Sequence, residues 1–144
     1  MNDTLRMTRW AVLPLSLLVL MLTACPTSQV EKERSEVLKQ YETIVRWSQW
    51  DAAADFISMD YQKEHPISRL ELDRLRLFKV TAYTVRSTGV FDEGMTVRQG
   101  VEIKLFNTNQ GVERVITDNQ EWRFNPETKR WKLHSGLPDP TRRY

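Results

Sequence analysis

The patterning of this chain predicts an α+β domain, with helices first and a curved four-stranded antiparallel sheet after them. Three observations carry that prediction. Between Val30 and Leu75 apolar residues recur with the 3.6-residue period of helices. From Phe78 onward they alternate with a period of two, and clusters of turn-forming residues separate the alternating stretches. Elements in that order pack with the helices segregated to one face of the sheet.

Val30, Val37, Leu38, Tyr41, Ile44 and Val45 fall at offsets of 7, 8, 11, 14 and 15, one stripe of a helix, with Glu31, Lys32, Glu33, Arg34 and Glu36 on the solvated face. Ser48 and Asp51 have capping-box spacing, in which the hydroxyl takes an orphan backbone N–H at a helix start. Trp50, Ala53, Ala54 and Ile57 then outline a second, short helix. Ser68 and Glu71 repeat the box ahead of Leu72 and Leu75, with Pro66 just upstream, and predict a third.

Phe78, Val80 and Ala82 alternate with Lys79, Thr81 and Tyr83; Val97, Val101, Ile103 and Leu105 alternate with Arg98, Glu102 and Lys104. Val112, Ile116, Trp122 and Phe124 share a parity that Arg114, Asp118 and Gln120 interrupt, and Trp131 and Leu133 flank Lys132. Each stretch reads as a strand with one wet face. Phe91–Gly94, Asn107–Gly111 and Asn125–Lys129 have turn composition, so four long strands are expected in meander order. Gly100 inside the second strand predicts a bulge that bends the sheet.

The first 24 residues read differently. Arg6 and Arg9 against Asp3 give a slightly positive leader, and Trp10–Leu22 runs thirteen residues without a charge. A membrane-crossing helix needs about 20 apolar residues; this run has the length of a secretory signal's apolar core. Small residues Thr23 and Ala24 follow, then Cys25, the one cysteine of 144 residues. Leu22-Thr23-Ala24-Cys25 resembles the lipobox of bacterial lipoproteins. The resemblance implies a diacylglyceryl group on the Cys25 sulfur, cleavage between Ala24 and Cys25, and acylation of the freed amine. The chemistry suits a thiol, the most nucleophilic side chain near neutral pH, and a lone cysteine has no intramolecular disulfide to form. The other reading is an ordinary cleaved signal with a cysteine nearby by chance. Two or more acyl chains anchor stably where one holds marginally. Pro26 stands where the lipoprotein sorting rule places an aspartate for inner-membrane retention, so the resemblance favours the periplasmic leaflet of the outer membrane.

The chain thus divides into a leader (1–24), an acylated tether (25–29), a single α+β domain (30–138) and a C-terminal tail (139–144). Loss of two arginines and one aspartate with the leader leaves 120 residues with 19 basic and 18 acidic side chains, a net charge of +1. That is one domain's length, and its balance argues against a nucleic-acid footprint. His65 and His134, the two histidines, have no metal-ligand spacing, so no metal is expected. No Gly-rich phosphate loop and no Gly-x-Ser-x-Gly elbow is present, and no cofactor is implied.

Element order and aromatic placement over Val30 to Pro138 resemble the nuclear-transport-factor-like (SnoaL-like) cone fold. Trp47-Ser48-Gln49-Trp50-Asp51-Ala52-Ala53-Ala54-Asp55-Phe56 resembles its join between first and second helices; Glu121-Trp122-Arg123-Phe124 with Lys129-Arg130-Trp131-Lys132-Leu133 resembles its closing hairpin. That superfamily includes isomerases, dehydratases and epoxide hydrolases working with an Asp, Tyr or His inside the cone, and domains that only bind. Asp118 and Gln120, on core parity, are the polar pair expected to face such a cavity, with Tyr83 or His134 across from them. The plainer reading is a local register change or a carboxylate bonded to nearby backbone. Asp55, Asp60 and Tyr61 are lesser candidates, the two aspartates reading more simply as caps or solvated groups. Tyr41, Trp47, Trp50, Phe56, Tyr61, Trp122 and Trp131 read chiefly as core, where each ring buries about 150–250 Å²; Trp47 alone falls off the helix stripe and is a candidate contact. Arg69, Arg74, Arg76 and Lys79 form a basic stretch that reads as a solvated face, or as a surface for anionic lipid or a partner. The function expected is a non-catalytic, lipid-anchored envelope module for a protein partner or a small apolar ligand; the alternative is a small cone enzyme using a carboxylate.

Overall fold

The computed structural model describes residues 26–141, so the lipobox-like segment with Cys25 lies outside the described residues. The chain is α+β: α1 (Pro26–Arg46), α2 (Trp50–Ala54), α3 (Met59–Glu64) and α4 (Arg69–Leu75) precede β1 (Phe78–Phe91), β2 (Thr96–Asn107), β3 (Val112–Asn125) and β4 (Arg130–Leu133). The strands form one antiparallel sheet in the order β1-β2-β3-β4, the expected meander, and β4 is a four-residue strand rather than a long one.

α1 begins at Pro26, a residue whose fixed φ and missing N–H suit a first helical position. Residues 26–29 of the expected tether are therefore helical. At its other end, Ser48 N–H donates to Val45 O (2.8 Å) and Gln49 N–H to Ile44 O (3.0 Å), with Ser48 in the left-handed region at φ 56°. This is a Schellman closure with serine where glycine is usual. It corrects the Ser48–Asp51 capping box: Ser48 ends α1, its Oγ accepts from Val80 N (2.9 Å), and α2 starts after Gln49 with no side-chain cap. Asp51 pairs instead with Arg76, which also reaches Asp73, each at 2.6 Å. The Ser68–Glu71 box is present in full. α3, unforeseen, is capped by Ser58 Oγ, which accepts from Tyr61 N (3.1 Å).

α1 lies across the inner face of the sheet, antiparallel to β1. Its C-terminal end meets the start of β1 through the Ser48–Val80 bond, and Val30 O near its N-terminal end accepts from Trp131 Nε1 (3.3 Å) at the start of β4. Between them Tyr41, Val45, Trp50, Val97, Val101, Ile103, Leu105, Ile116, Trp122, Trp131 and Leu133 fill the core. β1 carries two register breaks, at Val80/Ala82 and Val85/Ser87. The first turns Tyr83 inward and Ala82 out of the Phe78–Val80 series, correcting the parity expected there. The second lies opposite Gly100, so the extra residue is on β1 while the β2–β3 register runs unbroken through Gly100↔Asn119. A Cβ on Gly100 would stand 2.7 Å from Ser87 Oγ. Val112, expected in the core, is exposed.

Beyond β4 the chain runs along the free edge of β3: His134 N–H donates to Glu121 O (2.7 Å) and Arg114 Nη1 to Pro140 O (3.3 Å). Pro138 and Pro140 are buried, so the folded unit extends past the expected limit of 138 into the tail. Ile57 bridges Leu133 in parallel, tying the α2–α3 connection to the sheet edge. No helix among the described residues is long and apolar enough to cross a membrane.

Candidate functional site

Beneath α1, the inner face of the sheet carries a polar cluster organised by Gln120. Its Nε2 donates to Tyr83 Oη (3.0 Å) and to Asp118 Oδ2 (2.8 Å), and its Oε1 accepts from Trp122 Nε1 (3.1 Å). The amide's two donors and its oxygen are all engaged, which fixes its orientation. Asp118, Gln120 and Trp122 alternate on one face of β3; Tyr83, two strands away on β1 in the row of Ile103 and Ile116, meets Gln120 diagonally across that face. Gln120 is 2% exposed and Asp118 8%.

Tyr41 of α1 closes the cluster from above. Its ring packs edge-on against Trp122 (centroids 5.0 Å) and Phe56 (5.5 Å). Its hydroxyl, fully buried, has no hydrogen-bond partner among the described residues. Burial pushes its pKa well above that of a free tyrosine, and the nearby Asp118 and Tyr83 add to the rise. Tyr83 is also raised, first by burial and against the opposing bond from Gln120, with Asp118 and Glu42 contributing. Both phenols therefore keep their protons throughout the physiological range.

Asp118 has a second aspect. It lines a cleft of about 500 Å³ between α3–α4 and the C-terminal segment, walled by Tyr61, Ile67, Leu75, Leu137 and Pro138, with Glu71, Arg74, Ser135 and Asp139 adding polar groups. Tyr61 and His65 stack at 4.6 Å on its wall.

Of the expected residues, Asp118, Gln120 and Tyr83 are brought together, and His134 is not. His134 lies beyond β4 with Nδ1 3.3 Å from Ser58 Oγ, because Leu133 ends the strand there and the chain turns along β3. Burial lowers its pKa, Arg123 lowers it further, and Glu121 and Asp60 oppose the shift. Ser58 Oγ also accepts from Tyr61 N as the α3 cap, which leaves its O–H to face the His134 ring. Asp60 is held below the usual carboxylate range by Lys63 on the surface, and Asp55 is exposed, its carbonyl accepting from Lys132. Trp47 is 74% exposed. Sequence reasoning missed the cleft, whose walls come from three separated segments; the polar residues at core parity on β3 were the one local signal for it. Among the described residues no group of three or more His, Cys, Asp or Glu is placed to hold a metal ion.

No protein-family model matches this chain, and neither curated proteins nor solved structures provide a match to it.

Proposed function

We propose that this chain is an exported lipoprotein, acylated on Cys25 and held at the periplasmic leaflet of the outer membrane, whose domain is a non-catalytic binding module. Its occupant is an envelope protein or a small molecule with apolar surface, received in the cleft between α3–α4 and the C-terminal segment. The domain is proposed to be a cone of the nuclear-transport-factor-like kind. Support for the cone comes from helices preceding a meander, α1 laid across one face of the sheet, and two register breaks in β1 of the kind that bend a strand.

The observation that carries the binding role is the filled interior. Tyr41, Trp50 and Trp122 are at most 1% exposed and fill the interior between the helices and the sheet, where the proposed cone would otherwise have room for a substrate. The cleft remains as a concave surface of a size usual for ligand sites, lined by polar and apolar residues in comparable number; a shallower hollow of about 540 Å³ lies between α1, α2 and β4. The alternative, a carboxylate enzyme, is favoured by one observation: Asp118 joins the buried cluster to the cleft wall.

Two experiments bear on this. Cys25→Ala is expected to leave an uncleaved precursor without acyl label, and normal processing of that variant would refute the lipoprotein reading. A photoreactive residue at position 67, in the cleft, is expected to give discrete adducts in cells where one at position 84, on the open sheet face, gives none. Equal yields from both positions would remove the cleft from the argument.

A further inference from the structure

The two ends of the sheet differ in their relation to α1. β1 ends and β2 begins at one end, where β3 also passes into β4, and the Trp131–Val30 bond fixes the N-terminal part of α1 at that end. Pro26, the residue after Cys25, is already in α1, and Val30 lies four residues on, about 6 Å of helical rise. No flexible spacer separates the proposed lipid site from a rigid helix, so acyl chains on Cys25 bring this end of the domain against the bilayer.

The same end carries the β1–β2 hairpin tip, which is apolar on both faces. Val90 (51% exposed) follows the inner parity of β1, Phe91 (46%) the outer, and Met95 (37%) closes the turn. A strand packed on one core shields one face, and at this tip apolar groups are exposed on both, forming a patch able to contact an apolar medium. Arg98 lies over the Phe91 ring, 5.2 Å from its centroid, and is itself paired with Glu121, which also holds Arg123. Asp92 and Glu93 occupy the apex, both in the left-handed region. Those carboxylates restrict the tip to headgroup depth, where the ammonium groups of zwitterionic lipids are available to them.

We propose that the β1–β2 tip, through Val90, Phe91 and Met95, is a second and interfacial membrane contact that sets the domain's orientation on the bilayer. The proposal rests on acylation of Cys25. Weak insertion is sufficient, since the anchor already holds the tip at the surface and makes its contact intramolecular. The cleft, flanked by Thr117–Asn119 and α4, then stands away from the membrane.

The test uses full-length acylated protein in vesicles of phosphatidylethanolamine and phosphatidylglycerol. With Cys25 acylated, Glu93→Cys and Gln110→Cys each supply a single thiol for a nitroxide, at opposite ends of β2 roughly 35 Å apart by strand rise. The label at 93 is expected to relax several-fold more with oxygen than with a water-soluble nickel chelate, and the label at 110 the reverse. Adding Val90→Ser and Phe91→Ser is expected to return the label at 93 to the nickel-accessible pattern. An acylated chain in which both labels are equally open to nickel overturns the tip contact alone. A chain whose mass shows no acyl group overturns it through its premise.

Discussion

Gln120→Leu removes the centre of the buried cluster while keeping its volume. Trp122 Nε1 and Tyr83 Oη lose the amide as their partner, and the Asp118 carboxylate loses one of its interactions. Leaving a buried polar group unmatched costs about 1–3 kcal/mol, with charged groups at the upper end. Trp122 is fully buried and Asp118 nearly so, whereas Tyr83 is partly open and is discounted. With Trp122 counted in full and Asp118 in part, the expected loss is about 2–4 kcal/mol, out of the roughly 6–15 kcal/mol that stabilises a domain of this size. Urea unfolding followed by tryptophan fluorescence at neutral pH reads it as a lowered midpoint at unchanged slope. Gln120→Glu keeps the acceptor for Trp122 but puts a second carboxylate beside Asp118, so it is expected to cost at least as much at neutral pH. A loss under about 1 kcal/mol for Gln120→Leu would refute the reasoning, since it would mean that the three groups are satisfied without the amide.

Spectrophotometric titration of the four tyrosines is expected to show Tyr41 and Tyr83 silent near pH 10 and ionising only as the fold is lost. His134 should titrate below the usual histidine value by NMR; because the unfolded chain then takes up the proton first, the stability it confers is present above about pH 6.5 and declines as the pH falls through that value, and His134→Gln should flatten the decline. Gly100→Ala is expected to cost about 1–2 kcal/mol through its approach to Ser87 Oγ, and Ser87→Ala to recover most of it, a coupling visible in a double-mutant cycle. Ser48→Gly should be milder than Ser48→Ala, since both lose the bond to Val80 N but glycine also relieves the positive φ.

What was legible in the sequence was what short-range chemistry decides. The Ser68–Glu71 box, the meander turns and the core parity of Asp118 and Gln120 all follow from neighbours within a few residues. Ser48 has the same local spacing as Ser68, yet its role is set by Val80, 32 residues away. α3 has little apolar periodicity, Met59 being 78% exposed, and depends on the Ser58 cap and the sheet edge beside it. Tyr83 faces Gln120 only because a register break reverses the parity of β1, which alternation alone cannot show. His134 lies one residue beyond Leu133, where the strand period ceases to apply. The cleft joins residues 61–75, 117–119 and 135–141, and no single window of sequence contains it.

Cys25 is proposed to be both the first residue of the mature chain and the bearer of its lipid. Intact-mass measurement of the native protein, extracted from membranes without proteolysis, tests this most directly. The expected result is a polypeptide beginning at Cys25 with a diacylglyceryl group on sulfur and an acyl group on nitrogen. A mass corresponding to a retained leader, or to a different first residue bearing no fatty acid, would contradict it.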